Sequence, residues 1–91
     1  MIENILKQTQ TTKETIEQIT INEGIISIEE KCFEAFINLK TIQFPSTLQT
    51  IGYASFYNTG LQRITFPNNL QNIKSNAFAM NLQLKEIQFN E

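Results

Sequence analysis

The chain has 91 residues, 41% hydrophobic and 18% charged, which describes one soluble globular unit whose small core must be built economically. Its net charge of −2, with no block of like charges, gives no electrostatic basis for holding nucleic acid or an anionic membrane surface. His and Asp are absent and all nine acids are Glu, so Ser-His-Asp and Cys-His catalysis, imidazole metal sites and EF-hand loops are excluded. No enzyme, metal or cofactor is expected.

The opening "MIENILKQTQ" has neither the basic start nor the continuous apolar middle of a secretory signal, and no apolar run is long enough for a bilayer. As written, the chain is expected in the cytoplasm without membrane insertion; the cell surface becomes the expectation if it is a piece of a longer protein. The single Cys32 and the absence of any Asn-X-Ser/Thr sequon among ten Asn point the same way as the missing signal. Within residues 1–15, Ile2, Ile5, Leu6 and Thr9 recur at helical spacing, predicting a short amphipathic helix. Ile5 lies 23 residues before Ile28, and Ile16 lies 23 before Leu39, so this segment reads as a degenerate repeat serving as an N-terminal cap. The rival reading is a partner-binding or oligomerising helix.

From residue 16 onward the chain repeats itself. "ITINEGIISIEEKCFEAFINLKT" (19–41), "IQFPSTLQTIGYASFYNTGLQR" (42–63), "ITFPNNLQNIKSNAFAMNLQLKE" (64–86) and the partial "IQFNE" (87–91) align with spacings of 23, 22 and 23. Ile19, Ile42, Ile64 and Ile87 begin the units, and Ile21, Phe44, Phe66 and Phe89 follow two residues later. Ile28, Ile51 and Ile73 form a further column, and Phe33, Phe56 and Phe78 another. Six of the seven Phe occupy two columns, which scattered core aromatics would not do. The Ile-x-Phe alternation predicts one strand per unit, stopped where Pro45 and Pro67 withhold an N–H. A second segment, Leu48–Ile51 or Leu70–Ile73, returns along another face, and "KCFEAF", "YASF" and "SNAF" supply a turn or short helix with Phe inward. No unit can bury its own apolar face, so stacking must make one continuous core.

These residues resemble the BspA-like (Treponema pallidum type) leucine-rich repeats, with their Leu-x-x-Ile-x-Ile-Pro, Val-x-x-Ile and Ala-Phe elements. "LKTIQFPSTLQTIGYASFYNTG" and "LQRITFPNNLQNIKSNAFAMN" carry the pattern almost letter by letter, and the likeness covers residues 16–91. Asn22 and Asn90 depart from it at the Pro position, Cys32 and Ser55 at the Ala, and Phe36, Thr59 and Asn81 at a turn position that is often Cys. The resemblance implies a right-handed parallel leucine-rich-repeat solenoid, α/β or mainly β, of about three units. It also implies protein–protein contact, often as an adhesin on surfaces of anaerobic bacteria and protists, and brings no catalytic residues.

Polar residues between the inward Ile and Phe positions must form columns on the sheet face: Glu17, Lys40, Gln62 and Lys85; Gln18, Thr41, Arg63 and Glu86; Thr20, Gln43, Thr65 and Gln88. Such columns are either a solvated face with Thr/Gln ladders or a recognition surface. The expected protein-binding residues are Lys40, Gln43, Arg63, Thr65, Lys85 and Gln88, with Arg63, the only Arg, as the central anchor. Ile26-Ser27, Gln49-Thr50 and Gln71-Asn72 offer a narrower alternative face. Cys32 reads as a small buried thiol. Tyr53, Tyr57 and Phe36 read as core cover near turns, and Gly60 as a permissive residue in the shorter second unit. A structural or self-assembling repeat unit is the alternative function. Leu84, Ile87 and Phe89 lie in core columns with little charge to protect them, so a homodimer through the C-terminal repeat is expected.

Overall fold

A computed structural model describes residues 13–89, and the expected capping helix falls mainly on residues 1–12, outside them. Residues 13–15 form a turn, and no helix occurs among the described residues, so the chain is mainly β. Each unit contributes a strand where Ile and Phe or Ile alternate: β1 (Gln18–Thr20), β3 (Thr41–Gln43), β5 (Arg63–Phe66) and β7 (Glu86–Phe89). Between them lie the short strands β2 (Ser27–Ile28), β4 (Thr50–Ile51) and β6 (Asn72–Ile73). All pairing is parallel. β1 pairs with β3, β5 with β7, and β2, β4 and β6 form one three-stranded ladder. The register sets Ile19 against Ile42, Ile64 against Ile87, Phe66 against Phe89, and Ile28 against Ile51 against Ile73. Gln62 N–H donates to the Lys40 carbonyl at 3.1 Å, carrying the odd-numbered row from β3 to β5.

The third side of each unit is a turn, not a helix. Its N–H groups reach forward to the next unit: Lys31, Phe33 and Ala35 donate to Tyr53, Ser55 and Tyr57, and Ala54, Phe56 and Asn58 to Ser75, Ala77 and Ala79, all at 2.7–3.1 Å. An α-helix would spend those donors internally. The turn is possible because two residues per unit adopt left-handed backbone: Lys31 and Ala35, Ala54 and Asn58, Asn76 and Met80, with φ between 53° and 65°. Gly60 is explained differently from the expectation. It has no positive φ, but a Cβ there would lie 2.5 Å from the Ile37 carbonyl oxygen, so close backbone approach requires glycine.

Leu39, Ile42, Leu48, Ile51, Phe56, Leu61, Ile64 and Phe66 are buried at the centre of the stack. Phe33, Phe56 and Phe78 form one file of stacked rings, 5.1 and 5.2 Å apart, and in a second file Phe66 stacks on Phe44 at 6.1 Å and meets Phe89 tilted by 37°. Phe36 packs edge-on against Phe33, as core cover should, and Tyr57 is half-buried, but Tyr53 is exposed. Burial of this apolar surface holds the polar columns in place.

Candidate interaction face

The odd-numbered strands project alternate residues to opposite sides, so the core takes Ile42, Ile64 and Phe66 while Gln43, Arg63 and Thr65 reach solvent. Lys40, Gln43, Arg63, Thr65, Lys85 and Gln88 are all exposed on this row of strands. Their side chains are partly engaged with one another. Thr20 Oγ1 donates to Gln43 Oε1 at 3.3 Å, and Thr65 Oγ1 to Gln88 Oε1 at 3.4 Å, so one column is two Thr-to-Gln steps. Gln88 Nε2 donates in turn to Glu86 Oε2 at 2.9 Å.

Arg63 is not a free anchor. Its Nε stands 3.7 Å from Glu86 Oε1 across the β5–β7 register. The pair is exposed and adds little to stability, but it directs the guanidinium along the sheet. Lys40 and Lys85 lie where the strands begin. Where the strands end, a solvent-open groove of about 670 Å³ runs over Thr20, Gln43 and Thr65 toward Phe66, Pro67 and Glu23. Glu23 caps the next unit: its carboxylate accepts from Ser46 N–H at 3.0 Å and from Ser46 Oγ at 2.7 Å. The backbone hydrogen bond from Ser46, then its hydroxyl, lower the pKa of Glu23 below the ordinary glutamate value. The strand-entry end therefore carries Lys40, Arg63 and Lys85 together with Glu17 and Glu86, a small cationic excess, and the strand-exit end carries the Glu23 carboxylate.

Sequence reasoning did not find this corner. Thr47 Oγ1 accepts from Gly24 N–H and donates to the Ile25 carbonyl, and Asn69 Nδ2 donates to the Ser46 carbonyl, so polar side chains tie unit to unit after the Pro position. The signal was present in "FPST" and "FPNN", whose Ser, Thr and Asn favour local backbone hydrogen bonds. Asn81 is a second such tie, donating to the carbonyls of Phe56 and Phe78 at 2.7 Å while Thr59 Oγ1 donates to its Oδ1. On the alternative face Gln49 and Gln71 are exposed beside the still exposed Ile26. No group of acids and thiols suited to a metal ion occurs among the described residues.

The sequence model of the "BspA type Leucine rich repeat region (6 copies)" matches residues 4–91. The chain belongs to the BspA-type leucine-rich-repeat family. A leucine-rich cell surface protein from Faecalibacterium prausnitzii A2-165 has a similar solved structure, with a TM-score of 0.82 and 29% identity over 84% of this chain. The BspA-type repeats described here span 20% of that longer protein. No curated protein matches the chain.

Proposed function

We propose that this chain is a protein-binding module, a right-handed solenoid that meets its ligand across the row of β1, β3, β5 and β7. The observation that carries the reading is the exposure of Lys40, Gln43, Arg63, Thr65, Lys85 and Gln88 along one row of parallel strands. Leucine-rich repeats generally serve protein contacts, which supports the reading. Charge placement favours a ligand that presents acidic side chains to Lys40 and Lys85 and a hydrogen-bond donor to the Glu23 end. Arg63→Glu with Lys85→Glu reverses the cationic end without touching the core. Recovery of binding proteins should fall sharply for this double variant; equal recovery by variant and wild type would overturn the assigned face.

The likeness to a leucine-rich cell surface protein supports placing the module on a cell surface, as part of a longer chain. Labelling intact cells with an antibody to the repeats tests this. Signal only after permeabilisation would return the module to the cytoplasm.

A further inference from the structure

The row of odd-numbered strands is interrupted at its middle. β1 pairs with β3 and β5 with β7, but β3 and β5 are not paired with each other; on this side their units are joined at strand entry, where Gln62 N–H donates to the Lys40 carbonyl. On the other two sides the same units stay joined, since β4 pairs with β6 and Ala54, Phe56 and Asn58 donate to Ser75, Ala77 and Ala79. The solvent-open groove of about 670 Å³ lies over the unpaired junction, with Ile42, Gln43 and Phe44 on one bank and Thr65, Phe66 and Pro67 on the other. β1 and β7 flank the two banks, so the groove lies inside the row and not at its end.

Its lining has a definite chemistry. Ile42 and Phe66 belong to the core and Phe44 is half-buried, so the groove meets aliphatic and aromatic surface. Exposed Thr20, Gln43 and Thr65 add hydroxyl and amide groups. Among the described residues that line it, Glu23 is the one charged residue, and no Lys or Arg is present. A groove whose one formal charge is negative selects a cationic occupant. The carboxylate is also held in place, because Ser46 N–H reaches Glu23 Oε2 at 3.0 Å and Ser46 Oγ reaches Oε1 at 2.7 Å. A carboxylate has about four acceptor positions, so roughly two stay open to a ligand. The same hydrogen bonds lower the Glu23 pKa and keep the group charged.

We propose that this groove takes an arginine side chain of the protein ligand, with the guanidinium on Glu23 and the aliphatic stem over Phe44. Arginine answers this lining better than lysine does. Its planar head lies flat on a phenyl ring and gives parallel N–H bonds to a carboxylate, whereas an ammonium is a strongly hydrated point charge. Its apolar stem covers ring surface while the head stays in water. A neutral ligand would use the hydroxyl and amide groups but leave the fixed negative charge unanswered. The assignment rests on the protein-binding face proposed above and adds what its ligand carries at strand exit.

Titration of the isotope-labelled chain with N-acetyl-arginine amide, followed by backbone amide NMR shifts, tests the groove without a partner protein. Shifts should concentrate at Thr20, Glu23, Gln43, Phe44 and Thr65. N-acetyl-citrulline amide, which keeps the shape and loses the charge, should bind about fivefold more weakly, and Glu23→Gln should weaken arginine binding by a similar factor; a melting curve checks that the variant folds. Equal titrations by arginine and citrulline, equal titrations by arginine and N-acetyl-lysine amide, or no shift at these residues would overturn the proposal. A protein ligand lost by the Arg63→Glu/Lys85→Glu variant, with no arginine shift in the groove, would leave the binding face assigned and refute the arginine alone.

Discussion

Phe56 lies flat against Phe78, with ring centroids 5.2 Å apart and planes 3° apart, and the other side of the same ring stacks on Phe33 at 5.1 Å. Phe56 is fully buried and also meets Phe44 edge-on. Phe56→Ala should cost about 3–5 kcal/mol, a large part of a small domain's stability. Chemical denaturation checks this, and a midpoint near that of the wild type would show that the ring file does not hold the units together.

Ser55 is buried in the column between Cys32, which is half-buried and not the fully buried thiol expected, and the buried Ala77, and its Oγ has no hydrogen-bond partner among the described residues. The neighbouring unit already solves the position with Ala. Ser55→Ala should therefore stabilise the chain by about 1 kcal/mol, the lower end of the cost of an unmet buried hydroxyl. The expected rise in melting temperature is about 4–8 °C.

Lys31 holds φ at 59° with an exposed side chain, a conformation disfavoured for residues with a Cβ. Lys31→Gly should raise stability by about 0.5–1 kcal/mol, because relief of that strain exceeds glycine's extra unfolded-state entropy. Gly60→Ala should do the reverse, since its Cβ would collide with the Ile37 carbonyl. Thermal melts of the two variants should move in opposite directions.

Glu23 has its pKa lowered by the hydrogen bonds from Ser46. A depressed carboxylate pKa contributes stability that is present above the unfolded value and lost as pH falls through the folded one. Stability should therefore decline on acidification from just above the ordinary glutamate pKa to below the lowered one, and Glu23→Gln should remove that part of the decline. Melting temperature measured against pH for both proteins separates this from the remaining acids.

The repeat register was legible because burial acts on side chains at fixed positions: Ile19, Ile42, Ile64 and Ile87 had to share a column if any of them was to be covered. The partners of Arg63, Glu23 and Asn81 were not legible, since they depend on which polar atoms adjacent units bring within reach. The turn between Lys31 and Ala35 hid for another reason. Its left-handed positions carry Lys, Ala and Met as well as Asn58 and Asn76, so only two of the six showed the residue type that tolerates the conformation.

Photo-cross-linking from chosen positions in living cells tests the binding face most directly. A photoreactive side chain replaces Thr65 or Gln88 on the odd-numbered row, or Gln49 or Gln71 on the opposite face. Covalent protein adducts are expected from the first pair and not from the second. Adducts formed only from Gln49 or Gln71, or from neither pair, would contradict a ligand carried on the row of β1, β3, β5 and β7.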